Sequence, residues 1–150
     1  MKAPPHSATD LAAVRRLFRD VPVAHVGTTG ADGSPHVVPL WFVWLEDAVY
    51  VTCRRGSVVA ANLERGGEVA LAIDRGLRWT EHHGVLVRGQ PELLAADHAT
   101  ARRALSAWFE KYSEHLSGPG FGVYTRDVEH PVIARIEAAR VATWGAPLRP

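Results

Sequence analysis

Arg54-Arg55-Gly56-Ser57 stands at the mouth of a short helix that begins near Val58, and no other stretch of the chain has chemistry so plain. Backbone N–H groups at a helix N-terminus, the helix dipole and cationic side chains all favour an anion, above all a phosphate. Arginine suits fixed, planar anion recognition. Lys2 and Lys111 are the only lysines, however, so an arginine- and alanine-rich genome is an alternative source of the pair.

Other reactive groups promise less. Eight histidines are present. His82 and His83 are adjacent, so on a strand they point to opposite faces and cannot share one metal. His98 and His115 on a long helix make no i, i+4 pair, and no H-E-x-x-H pattern occurs. Surface or turn roles are expected for most of them; His25 and His36 stand apart because they fall on strands, and one axial histidine suffices for haem. Cys53, between Thr52 and two arginines, sits where a thiol pKa is lowered, although a small residue half-buried on a strand is the plainer expectation. Asp74 and Arg75 end a strand, where a solvated turn is expected more than a ligand contact. No Ser/His/Asp order marks a hydrolase.

The elements that position these groups follow from periodicity. Thr9 or Asp10 caps a first helix with the stripe Leu11, Val14, Leu17 and Phe18, ended at Val21-Pro22. Strands are expected at Val23 to Thr28, Pro35 to Leu45, Ala48 to Arg54, Glu68 to Asp74, Gly84 to Leu94 and Val132 to Trp144. The short helix runs from Val58 to Glu64 and stops at Gly66-Gly67. A long helix capped by Asp97 runs to about Leu116. Its Ala101, Leu105, Trp108, Phe109 and Tyr112 are spaced for core packing, and Gly118-Pro119-Gly120 ends it. Such a chain is mainly β (α+β), an antiparallel barrel, closed or split, with flanking helices.

At 150 residues the chain is one domain's length and buries roughly 70% of its unfolded surface. The expected division is a flexible N-terminus at 1–8, a barrel domain at 9–145 and a tail at 146–150. A net charge of +1 argues against a nucleic-acid binder. One cysteine excludes a disulfide framework within the chain. The absence of an 18-residue apolar run or a signal-like start in this sequence points away from the membrane and to the cytoplasm.

The second strand is apolar on both faces, with His36, Val38, Leu40, Phe42 and Trp44 on one and Val37, Pro39, Trp41 and Val43 on the other. Both faces must be covered. Barrel interior on one side and a second subunit on the other is the economical arrangement; cover by one of the chain's own helices is the alternative. Trp41 and Trp44 must point to opposite sides.

The order of elements resembles the pyridoxamine-phosphate-oxidase-like split β-barrel superfamily of FMN-binding oxidases and flavin/deazaflavin oxidoreductases that use coenzyme F420. The resemblance rests on Ala24 to Thr29, Asp32 to Phe42, Tyr50-Val51-Thr52, Asn62-Leu63, Glu68 to Asp74, Val87 to Leu93 and Arg140 to Gly145, in that order. It implies a six-stranded antiparallel split β-barrel and a homodimer with cofactor sites at the subunit interface. In such proteins the ring lies against the second strand, here His36, Val38, Pro39 and Trp41. The phosphate lies at the short helix, here Thr52, Arg54, Arg55, Gly56 and Ser57, with Asn62 further along it. Trp79 and Trp144 are the implied partner-side residues.

One departure matters. Where the family places Ser-Arg-Lys, this chain has Ser57, Val58 and Val59. A hydrogen bond to a charged group contributes about 1.5–3 kcal/mol, so losing two weakens phosphate binding by roughly 10²- to 10⁴-fold. Arg54 and Arg55, just upstream, are the candidates to compensate beside the helix dipole and Ser57; alternation puts Arg54 on the face of Thr52 and points Arg55 away. The resemblance therefore implies an oxidoreductase passing a hydride from reduced coenzyme F420 or FMN to a small conjugated or aromatic acceptor, with no catalytic side chain assigned. The compact form favours F420. A non-catalytic binder of haem, a tetrapyrrole or a flavin is the alternative, favoured by the two valines, and a ligand-free dimeric module is the third.

Overall fold

Three of the six expected strands are broken in mid-course, and the breaks make the fold. The structure, a computed structural model, describes residues 10–116 and 131–145. Thr9, Gly118-Pro119-Gly120 and both expected terminal segments lie outside them. The elements are α1 (Leu11–Phe18), β1 (Ala24–Thr29), β2 (Pro35–Leu40), β3 (Phe42–Leu45), β4 (Ala48–Cys53), α2 (Val58–Arg65), β5 (Val69–Arg75), β6 (His83–Gly89), β7 (Pro91–Leu94), α3 (Ala99–Tyr112), β8 (Val132–Glu137) and β9 (Arg140–Trp144). A 3₁₀ turn, Ser113–His115, follows α3.

One sheet runs β2-β1-β5-β6-β9 and the other β3-β4-β8-β7. Their pairings are all antiparallel. The expected second, fifth and last strands each leave one sheet and enter the other, at Trp41, at Gln90 and at Ala138-Ala139. These three crossings join two sheets into a split barrel. Two crossings touch: a Cβ on Gly89 would run into the Glu137 carbonyl, so only glycine lets the corners pass.

The barrel interior is filled by alternate residues, among them Val26, Phe42, Val49, Val51, Leu71, Ile73, Val85, Val87 and Ile136. Asp10 caps α1 by accepting from the amides of Ala12 and Ala13, and Val14 and Phe18 bury its apolar stripe. Gly66, at φ 81°, ends α2 as expected. His98, not Asp97, caps α3, its Nδ1 accepting from the Thr100 amide at 3.2 Å.

A second cluster sets Ala104, Trp108 and Tyr112 of α3 against Val43, Ala48 and Tyr50. Thus the chain's own helix covers the outer face of β3. It does not cover β2, whose Val37 is 64% exposed. Trp44 lies in the barrel core and Trp41 in the cluster beneath α3. Phe109, expected in the core, is instead 47% exposed at the rim of that cluster.

Candidate functional site

A cavity opens where β2 parts from β4. The β3–β4 ladder ends at Phe42 with Val51. Thr52 and Cys53 continue β4 against β8 alone, pairing with Ile133 and Val132, while β2 pairs with β1. Two residues of β4 thus face no strand on the β2 side. The gap holds a cavity of about 420 Å³ lined by Val38, Pro39, Leu40, Trp41, Thr52, Cys53, Arg54, Ser57, Val59 and Pro131.

The corner of the cavity is the start of α2. Ser57 is its N-cap, the hydroxyl accepting from the Ala60 amide at 3.3 Å. The first helical bond runs from the Ala61 amide to the Ser57 carbonyl, so the amides of Val58 and Val59 precede the ladder, as at any helix start. Val58 points to solvent and Val59 is buried as cavity wall. Among the described lining residues Arg54 is the only formally charged one. An apolar slot with hydroxyls, a helix N-terminus and one guanidinium at one end suits a flat ring carrying an anionic group.

Trp41 is held from behind. Its ring stacks on Tyr112 at 4.3 Å and 7°. The Tyr112 hydroxyl accepts from the Phe42 amide at 2.9 Å and lies within donating distance of the Pro22 and Phe42 carbonyls. Lys111 Nζ donates to the Phe42 carbonyl at 2.9 Å and sits 3.7 Å above the Phe42 ring. Burial pulls the Lys111 ammonium down to about 8. Burial pushes the Cys53 thiol up to about 11, against the pull of a hydrogen bond with Ser57. Cys53 is therefore a protonated, slowly reacting wall residue near neutral pH, and the two arginines do not make it a thiolate.

Of the residues singled out in the sequence, the cavity brings together Val38, Pro39, Trp41, Thr52, Arg54 and Ser57. His36 lies two residues back along β2, on the face of Val38, with Nδ1 buried and no hydrogen-bond partner among the described residues. Arg55 and Gly56 are exposed in the turn before α2. Asn62 is buried, bonded to Thr28. Trp79 stands 92% exposed on the β5–β6 turn, and Trp144 lies across Gly84 at the sheet edge. Leu40, Cys53, Val59 and Pro131 are additions. Leu40 shares the inward face of Val38, which alternation alone reveals, whereas nothing local marks Pro131.

Asp74 is no solvated turn: it accepts from His82 at 3.0 Å and has His25 3.9 Å away, while Arg75 pairs with Asp20. Among the described residues no group of His, Cys, Asp and Glu is arranged to hold a metal, and no helix is long and apolar enough to cross a membrane.

The profile of the pyridoxamine 5'-phosphate oxidase family matches residues 11–146. The chain belongs to this family. No curated protein sequence matches it. Among solved structures, a conserved hypothetical protein of Mycobacterium tuberculosis is similar at TM-score 0.75 and 20% identity, over 97% of this chain and 90% of that one. The haem-storage protein HutZ of Vibrio cholerae gives 0.69 and 13%, over 92% and 93%. An FAD-binding protein of Mesorhizobium loti gives 0.67 and 20%, over 92% of each chain. At these identities what is shared with the three structures is the fold.

Proposed function

We propose that this member of the pyridoxamine 5'-phosphate oxidase family is a flavin- or deazaflavin-dependent oxidoreductase, working with reduced coenzyme F420 or FMN on a small conjugated or aromatic acceptor. One observation carries the reading: an apolar slot of about 420 Å³ that ends at a helix N-terminus and a single arginine. The volume lies within the usual range for small-molecule sites. The bound ring would supply the hydride chemistry. The chain's own part is to bind, orient and exclude water. Val38, Pro39, Leu40 and Trp41 offer the ring a wall, and Thr52, Ser57 and Arg54 offer donors to the anion. The FAD-binding neighbour supports a flavin.

A homodimer belongs to the same proposal. Val37, Leu77, Trp79 and Trp144 are exposed apolar residues on or beside the five-stranded sheet, and a second copy seated there supplies Trp79 and Trp144 to the open side of the slot. The protein is proposed to work in the cytoplasm, where its single cysteine stays reduced.

Fluorescence titration with FMN and with coenzyme F420 tests the reading. The expected result is micromolar binding of at least one, weakened roughly 10- to 100-fold by Arg54→Ala. Failure of both to bind overturns it. The second reading, a haem or tetrapyrrole binder without turnover, is favoured by the lone cation of the corner and by the haem-storage neighbour. A Soret band on adding haem, with no flavin binding, selects it.

A further inference from the structure

The two walls of the cavity are joined by a buried polar connection. Thr28 and Asn62 are the buried polar residues of the described chain, at 6% and 4% exposure. Asn62 Nδ2 donates to Thr28 Oγ1 at 2.9 Å. The Thr28 hydroxyl in turn makes a long contact of 3.5 Å with the carbonyl of His36, its cross-strand neighbour on β2. On the other side Arg65 Nη1 donates to Asn62 Oδ1 at 3.0 Å and to the Thr29 carbonyl at 3.2 Å. The path runs from α2 through β1 to β2.

α2 carries Ser57 and Val59 on one side of the cavity, and β2 leads into Val38 to Trp41 on the other. The remaining buried contacts of α2, through Val59, Ala60 and Leu63, are apolar. Apolar contact is non-directional and lets a helix settle at several offsets; a buried hydrogen bond has a fixed length and is expensive to leave unmade. We infer that Thr28 and Asn62 are a positioning pair: they set the separation of α2 from β2, and so the thickness of ligand the cavity admits. The ligand part of this inference rests on the function proposed above; the geometric part does not.

Cys53 is the only cysteine and lines the cavity, so its reaction with a small aromatic disulfide reports the gap without any ligand. Three variants are compared with the parent: Thr28→Ser, Thr28→Val, and Thr28→Val with Asn62→Leu. Thr28→Ser keeps the hydroxyl and is expected to keep the parental labelling rate. The double variant replaces both partners by apolar groups of similar shape, a change that is nearly neutral for stability. It is expected to hold the parental Tm while Cys53 reacts on the order of tenfold faster and FMN binds on the order of tenfold more weakly.

Parental labelling in the double variant overturns the inference. So does labelling that rises only in step with a loss of Tm, which marks a purely structural bond. If the double variant does not fold, Thr28→Val read well below its own Tm decides by the same two criteria. A parent that binds neither FMN nor coenzyme F420 sinks the proposed function and leaves the Cys53 comparison to decide the positioning role alone.

Discussion

β2 and β3 are one run of chain separated by a single residue, Trp41, yet they end in different environments. Three of the four residues of β3 are buried, and none of the six in β2 is. Composition does not separate them, since Val37-Val38-Pro39-Leu40 is as free of charged and polar side chains as Phe42-Val43-Trp44-Leu45. Neighbours do. Each is an edge strand with one ladder partner, β4 for β3 and β1 for β2, but α3 lies over β3 whereas β2 has an open edge and no described helix across its outer face. Pro35 and Pro39 fit that edge, because a proline cannot donate to a further strand. The same kind of sequence becomes core where the sheets stay together and a cavity wall where they part.

The largest effect should come from the covered half. Phe42→Ala, at a fully buried ring, is expected to cost about 3–5 kcal/mol in denaturant unfolding. Tyr112→Phe keeps the stack on Trp41 but strands the buried Phe42 amide, an expected loss of about 1–3 kcal/mol. A Tyr112→Phe protein with parental stability would show that the helix cover does not depend on that bond.

The pH dependence of stability should separate the two regions by sign. Lys111, on the covered side, has its folded pKa lowered to about 8 from a reference of 10.5. Between those values the unfolded chain holds a proton that the folded chain lacks, so Lys111 makes stability rise with pH. Its bond to the Phe42 carbonyl and its place over that ring favour the ammonium and shrink the rise. Cys53, on the cavity side, is raised to about 11 from 9.0. The folded chain keeps a proton that the unfolded one releases, so Cys53 makes stability fall across that window. Tm measured from pH 8 to 11 should therefore fall more steeply in Lys111→Met and less steeply in Cys53→Ala than in the parent.

The smallest effect on the fold is expected at Val37. Val37→Asp should leave the unfolding free energy of the single chain within about 0.5 kcal/mol of the parent, while sedimentation shifts from two chains toward one. Unchanged sedimentation of a dimeric parent would move the interface away from β2.

Much of this contrast was legible beforehand, and the illegible part has a physical reason. Alternation placed Val38, Leu40, Phe42 and Trp44 on one inner face, and caps placed Ser57 and Gly66 at the ends of α2. Alternation was no guide to Arg54 and Arg55, because β4 ends at Cys53 and both follow it. The crossings at Trp41, Gln90 and Ala138-Ala139 were invisible because a strand that bends between sheets keeps its period of two on both sides of the bend. Val59 read as a missing cation, since a local pattern cannot tell that the side chain will be buried against the cavity. Pro131 was out of reach because it arrives only through the pairing of β8 with β4. Whether a helix or a second copy covered the second strand could not be answered as one question, because α3 covers only its β3 half and leaves Val37 on β2 exposed.

The same pairing bears on the order in which the protein is made. Arg135 meets Asp47 across a sequence separation of 88 residues, whereas β1 and β2 form a local hairpin. Loop closure makes the distant pairing slow, so the β1–β2 and β3–β4 hairpins can form early, while β8 and β9, one in each sheet, leave the ribosome last. Thr52 and Cys53 have their ladder partners only in β8. A nascent chain that stops short of Val132 therefore owns the helix corner and the wall from Val38 to Trp41 but leaves Thr52 and Cys53 without a ladder partner, and completion of the cavity becomes one of the final events of synthesis.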